Sequence, residues 1–110
     1  MKGIIYYPAF VEINKDGYYF MSFFCKSWFG VTDGKTVQKA YENAIAMLSD
    51  YFGCLNEENE DIPIPPKRKK GCIMVPYVLK YKRELESLQR RGYQPIRIVP
   101  PTEDIKREDV

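Results

Sequence analysis

The chain has 110 residues, with 17 Lys and Arg against 15 Asp and Glu, a net charge of +2, and no histidine. That length suits one domain with a real core, and a composition 45% hydrophobic and 15% aromatic is too apolar for a disordered chain. The missing histidine excludes His-ligated metal sites, Ser/His/Asp and Cys/His triads and imidazole acid–base chemistry.

Ile4–Asn14 reads as a strand rich in Tyr, Val and Ile, with Pro8 suggesting an edge or a bulge. Lys15-Asp16-Gly17 supplies a turn, and Tyr18–Phe24 follows as the second strand of an antiparallel hairpin. Alternate residues of this second strand are apolar on both faces, which predicts a central strand covered on both sides. Trp28–Thr32 is a short third strand closed by Asp33-Gly34. Thr36 is placed to cap a helix from Val37 to about Leu55. Its apolar stripe is Val37, Ala40, Tyr41, Ala44, Ile45, Leu48, Phe52 and Leu55, with Gly53 loosening the last turn.

Ile62-Pro63-Ile64-Pro65-Pro66 must be extended, because proline blocks helix at itself and just before itself. A basic run, Lys67–Lys70, ends at Gly71, and Cys72–Val75 reads as a fourth strand. A second helix is expected from Tyr77 or Val78 to Arg91, with Val78, Tyr81, Leu85 and Leu88 as its seam. Lys80/Glu84 and Lys82/Glu86 are i,i+4 pairs on it, and Gly92 is placed to end it. Gln94–Val99 is a further short strand.

The expected class is therefore α+β. A small antiparallel sheet of three to four strands packs on one main helix in the order β-β-β-α-β, with a second helix and a short terminal strand. Residues 1–99 form one domain, with 67–99 as its basic strand-helix extension, and 100–110 form a flexible tail.

Charge is unevenly spread. Residues 1–66 carry five Lys and nine Asp or Glu, a net of −4; residues 67–97 carry ten Lys or Arg and two Glu, a net of +8; the remainder is −2. The middle block either binds phosphates or is the solvated face of a helix and a linker. In the first case Lys67, Arg68, Lys69, Lys70, Lys80, Lys82, Arg83, Arg90 and Arg91 are the candidate nucleic-acid contacts, and binding depends steeply on salt.

Five short signatures in residues 1–66 occur in a family-like order: Tyr6-Tyr7-Pro8-Ala9, Gly17 through Phe23, Thr32-Asp33-Gly34-Lys35-Thr36, Ala40-x-Glu42-Asn43-Ala44, and Ile62-Pro63-x-Pro65. Together they make this region similar to the HicB-like antitoxins. The resemblance implies a partial RNase H-like fold and a protein that binds and covers a small RNase toxin of the HicA type. The chain departs from the family in three ways. Trp28-Phe29-Gly30 stands where Pro-Gly-Cys is usual, and Lys39 replaces the acidic residue of a capping box. The stretch after Tyr77 has room for one helix, so the family's usual DNA-binding C-terminal module is expected to be absent or reduced.

No catalysis, metal or cofactor is expected. A true RNase H gathers carboxylates around divalent metal, whereas Glu12, Asp16 and Asp33 are scattered and two of them are turn residues. Ser22, Ser27 and Cys25 have only Lys or a carboxylate as candidate bases. Three widely spaced cysteines, Cys25, Cys54 and Cys72, fit reduced thiols in a cytoplasmic protein. The most apolar stretch, Tyr18–Cys25, is far shorter than the roughly 20 residues of a membrane helix. Exposed strand edges and many aromatics suit a homodimer or higher homo-oligomer, as in an orphan oligomerisation domain.

Overall fold

The computed structural model describes residues 2–93 and 97–99. The elements are β1 (Lys2–Ile13), β2 (Tyr19–Cys25), β3 (Trp28–Gly34), α1 (Val37–Glu57), β4 (Cys72–Val78), α2 (Lys82–Arg90) and β5 (Arg97–Val99). All pairings are antiparallel, in the order β3-β2-β1-β4, with β5 alongside the start of β1. This is the expected α+β architecture. The tail 100–110 and Gln94–Ile96 lie outside the described residues.

One face of the sheet is packed against α1. Ile5, Tyr7 and Ala9 of β1, Met21, Phe23 and Cys25 of β2, and Val75 and Tyr77 of β4 are buried with Ala40, Ala44, Leu48 and Phe52 of α1. The alternation of β1 and β2 produces this face, because successive strand side chains point to opposite sides. No described helix covers the other face. Phe20, Ser22 and Phe24 there are half-buried, so β2 is central, as its sequence predicts, but covered on one side only. Phe24 stacks on Phe10 of β1, with ring centroids 4.8 Å apart.

Pro8 corrects another expectation. It lies in a central strand, opposite Met74, rather than at an edge. On the other side of β1, the β5 ladder ends at Ile4 and the β2 ladder begins at Ala9. A residue without an N–H is tolerated at that gap.

The Asn14–Tyr18 turn closes with Gly17 at φ 84°, where a side chain would be strained, and the Asn14 Oδ1 accepts from the amides of Asp16 and Tyr18. Asp33 and Gly34 complete β3 instead of forming a separate turn. A Cβ at Gly34 would lie 2.4 Å from the backbone nitrogen of Ala40, so the close approach of β3 to α1 requires glycine. The Thr36 Oγ1 accepts from the Lys39 amide at 3.0 Å, capping α1 as its sequence predicts.

The helix α1 continues past Gly53 to Glu57 and ends with Asn59 at φ 59°, a left-handed position that asparagine tolerates. Val37 lies outside its buried stripe, and Asn56 lies inside it. The extended Ile62–Pro66 segment runs back over the core with Ile62, Pro63 and Pro65 buried. The Tyr7 hydroxyl donates to the Pro63 carbonyl at 2.5 Å and fixes its path.

The strand–helix boundary in the second half also differs from expectation. Tyr77 and Val78 belong to β4, and α2 begins at Lys82. Tyr77 is held in the sheet by its ring, which meets Phe52 edge-on at 4.8 Å, and by its buried hydroxyl. The expected seam holds in its second half, where Leu85 and Leu88 pack inward, but Val78 and Tyr81 are exposed and Glu84 and Ser87 face inward instead.

Candidate functional site

The C-terminal end of α1 meets α2 and the end of β4 in a polar junction. At its centre is Glu84, only 3% exposed. Its carboxylate accepts from the Tyr77 hydroxyl at 2.5 Å, the Asn56 Nδ2 at 2.9 Å, and the backbone amides of Lys80 and Tyr81 at 2.7 and 2.9 Å. Glu84 occupies the third position of α2, so reaching back to the Tyr81 amide satisfies a donor that the helix start leaves free. A buried carboxylate costs several kcal/mol of desolvation unless donors surround it, and here four do. Burial, followed by the hydrogen bond to Glu84, pushes the Tyr77 hydroxyl well above the usual tyrosine range. Tyr7 is raised in the same direction, chiefly by burial.

The sequence pairing of Lys80 with Glu84 is not the contact formed. The Lys80 backbone, not its ammonium, serves Glu84; the ammonium donates to the Ser49 Oγ at 2.8 Å. Glu84 was hard to find in the sequence because an acidic residue one turn from a lysine has the pattern of a surface pair. Two polar residues at helix spacing on inward faces, Asn56 and Glu84, are the signal that distinguishes it.

The candidate cations divide into two groups. Lys67, Arg68, Lys69 and Lys70 are exposed on the loop before β4, whereas Lys80, Lys82, Arg83, Arg90 and Arg91 follow it. A strand of this length separates the groups by about 20 Å. Lys69 lies across the open sheet face, its Nζ 5.1 Å from the centroid of Phe24.

Arg83 donates to the Asn56 carbonyl and to the Asn59 Oδ1, so it closes the C-terminal end of α1. Arg91 donates to the carbonyls of Ile62, at 2.8 Å, and Ser87, at 3.3 Å, with Asp61 4.0 Å away. Both guanidinium groups therefore hold backbone carbonyls at the joint between the two helices and the proline segment. Arg90 lies with Arg83 on the rim of a cleft of about 240 Å³ that Glu60, Asp61 and Glu86 also line, so its charge is mixed.

Glu12 and Asp33 lie on the open sheet face, each paired with Phe20 in the strand between them, and are not brought together. Among the described residues, no group of three or more His, Cys, Asp or Glu is placed to hold a metal ion. Cys25 is buried, and burial pushes its thiol up to about 11; Cys72 is buried and Cys54 is exposed. No described helix is long and apolar enough to cross a membrane. Protein-family models, curated proteins and solved structures yield no match to the chain.

Proposed function

We propose that this chain is a HicB-like antitoxin: a non-catalytic, cytoplasmic protein that binds a small basic RNase of the HicA type and covers its active site. The observation that carries the reading is the joint between β3 and α1. The Thr32–Thr36 signature supplies both the glycine that lets strand and helix approach and the threonine that caps the helix. The Ile62-Pro63-x-Pro65 signature likewise has a structural role, strapped to Tyr7 within the first signature. The net −4 of residues 1–66 suits a basic partner, since interface potentials tend to be complementary.

The test is co-expression with the small open reading frame adjacent to the gene. The expected outcome is a stable complex and RNA cleavage that stops when this chain is added. No association, together with undiminished cleavage, overturns the reading.

Nucleic-acid binding is the second reading, favoured by the four consecutive exposed cations Lys67–Lys70. It requires affinity that falls steeply with salt, through counterion release. Because Arg83 and Arg91 already hold carbonyls, alanine at Lys67, Arg68 and Lys70 is expected to weaken binding and flatten the salt slope. Fluorescence anisotropy across a salt series measures both.

A further inference from the structure

The sheet has two edges, and they differ. The β4 edge carries Pro76, whose missing N–H blunts it as a pairing template. β3 contains neither Pro nor Lys across its seven residues, and no strand among the described residues pairs with its outer side. β3 also presents Phe29 and Val31, 77% and 60% exposed, on the open face of the sheet. On its other face β3 packs against α1, and beside Thr32 a shallow groove of about 510 Å³ runs along the helix past Asn43, Met47, Asp50, Tyr51 and Cys54. Unpaired backbone, exposed apolar side chains and a half-apolar groove thus meet along one edge.

We propose that this edge pairs with the β3 edge of a second copy of the chain, antiparallel across a two-fold axis at Val31, joining the two sheets into one. Self-pairing suits the residues. Centring on Val31 sets Val31 against its own copy, Phe29 against the partner's Asp33, and Gly30 against the partner's Thr32. Phe29 and Val31 then become diagonal neighbours across the axis. Within the paired strands no like charges face each other, because the one acid of the strand, Asp33, lies opposite an aromatic ring.

A seven-residue strand is about 23 Å long, and the sheet and helix layers together are about 20 Å thick. The two copies would cover about 900 Å² of flat area, close to the lower bound of about 1,000 Å² for a specific interface, which suits a dimer of modest affinity. The inference stands on the edge alone and is independent of the antitoxin reading.

Sedimentation equilibrium of the full chain tests it. The protein is expected at about twice 12.9 kDa at micromolar concentration. Val31→Lys sets a charge against its own copy and is expected to halve the mass, with far-ultraviolet circular dichroism unchanged. Val78→Lys, at an exposed position on the other edge, is expected to remain dimeric. A cross-link supplies a measurement independent of how Val31→Lys folds. Residues directly opposite in an antiparallel pair lie within disulfide reach, so Val31→Cys in a Cys54→Ser background is expected to form a covalent dimer on mild oxidation. A monomeric native chain overturns the proposal, even one that takes up a strand of another protein at this edge. A Val31→Lys variant that stays dimeric, or a Val31→Cys variant that does not cross-link, overturns it as well.

Discussion

Replacing Glu84 with alanine would leave the Tyr77 hydroxyl, the Asn56 amide and two backbone amides without their shared acceptor. The expected loss is about 3–5 kcal/mol, roughly 1 kcal/mol for each of the four donors left without a partner. Tyr77→Phe removes one donor and is expected to cost about 1–3 kcal/mol. In the Glu84→Ala background its cost is expected to shrink, because the partner is already gone. Urea unfolding of the two single variants and the double variant measures all three quantities. Cys25 yields a pH prediction. Burial raises its thiol from an ordinary 9.0 to about 11, so the unfolded chain releases this proton first. Stability from this group is full below pH 9 and is lost between about pH 9 and 11. The stability of the native protein relative to Cys25→Ala is therefore expected to fall over that interval. Thiol reagents near neutral pH are expected to label exposed Cys54 well before Cys25 or Cys72.

At the scale of elements, the joint from β3 to α1 rests on two small residues. Gly34→Ala places a methyl against the rigid backbone of Ala40, and the expected cost is about 1–3 kcal/mol. Thr36→Ala removes the cap and is expected to cost about 1 kcal/mol. Thermal unfolding separates the two effects. Thr36 was legible in the sequence, since a capping preference is local; Gly34 was read as a turn residue, and its need for close approach to Ala40 appears only in the fold. The boundary between β4 and α2 was not legible either. Val78, Tyr81 and Leu85 keep a helical spacing, yet Tyr77 is committed to the sheet by its contacts with Phe52 and Glu84, both distant or hidden on a sequence reading. The end of α1 shows the same limit. Gly53 has open space around it and does not interrupt the helix, whose final turn is closed by Arg83 from α2.

Across the whole molecule, the basic block is divided by β4 and partly spent on internal contacts. Arg83→Ala and Arg91→Ala are therefore expected to lower the stability measured by urea unfolding, whereas alanine at Lys67, Arg68 or Lys70 leaves it within about 0.5 kcal/mol. Equal effects from the two sets would remove this division of roles. The open sheet face is also a property of the whole molecule. The two apolar faces of β2 predicted cover on both sides, but among the described residues only one main helix packs on the sheet, so Phe24 remains half-buried beside Phe10.

The sequence by itself determined the α+β class, the hairpin, the long capped helix and the extended proline segment. Each follows from alternation, helical spacing, turn residues or the fixed φ of proline, and these act over a few neighbours. Only the tertiary structure decided which face of β2 is covered, that Pro8 sits in a central strand, and that Glu84 is buried while Arg83 and Arg91 close the ends of distant segments. Those outcomes depend on distant residues meeting: Pro8 pairs with Met74, Tyr7 reaches Pro63, and Arg91 reaches Ile62. A charged side chain becomes structural only when distant donors and acceptors replace the water it loses.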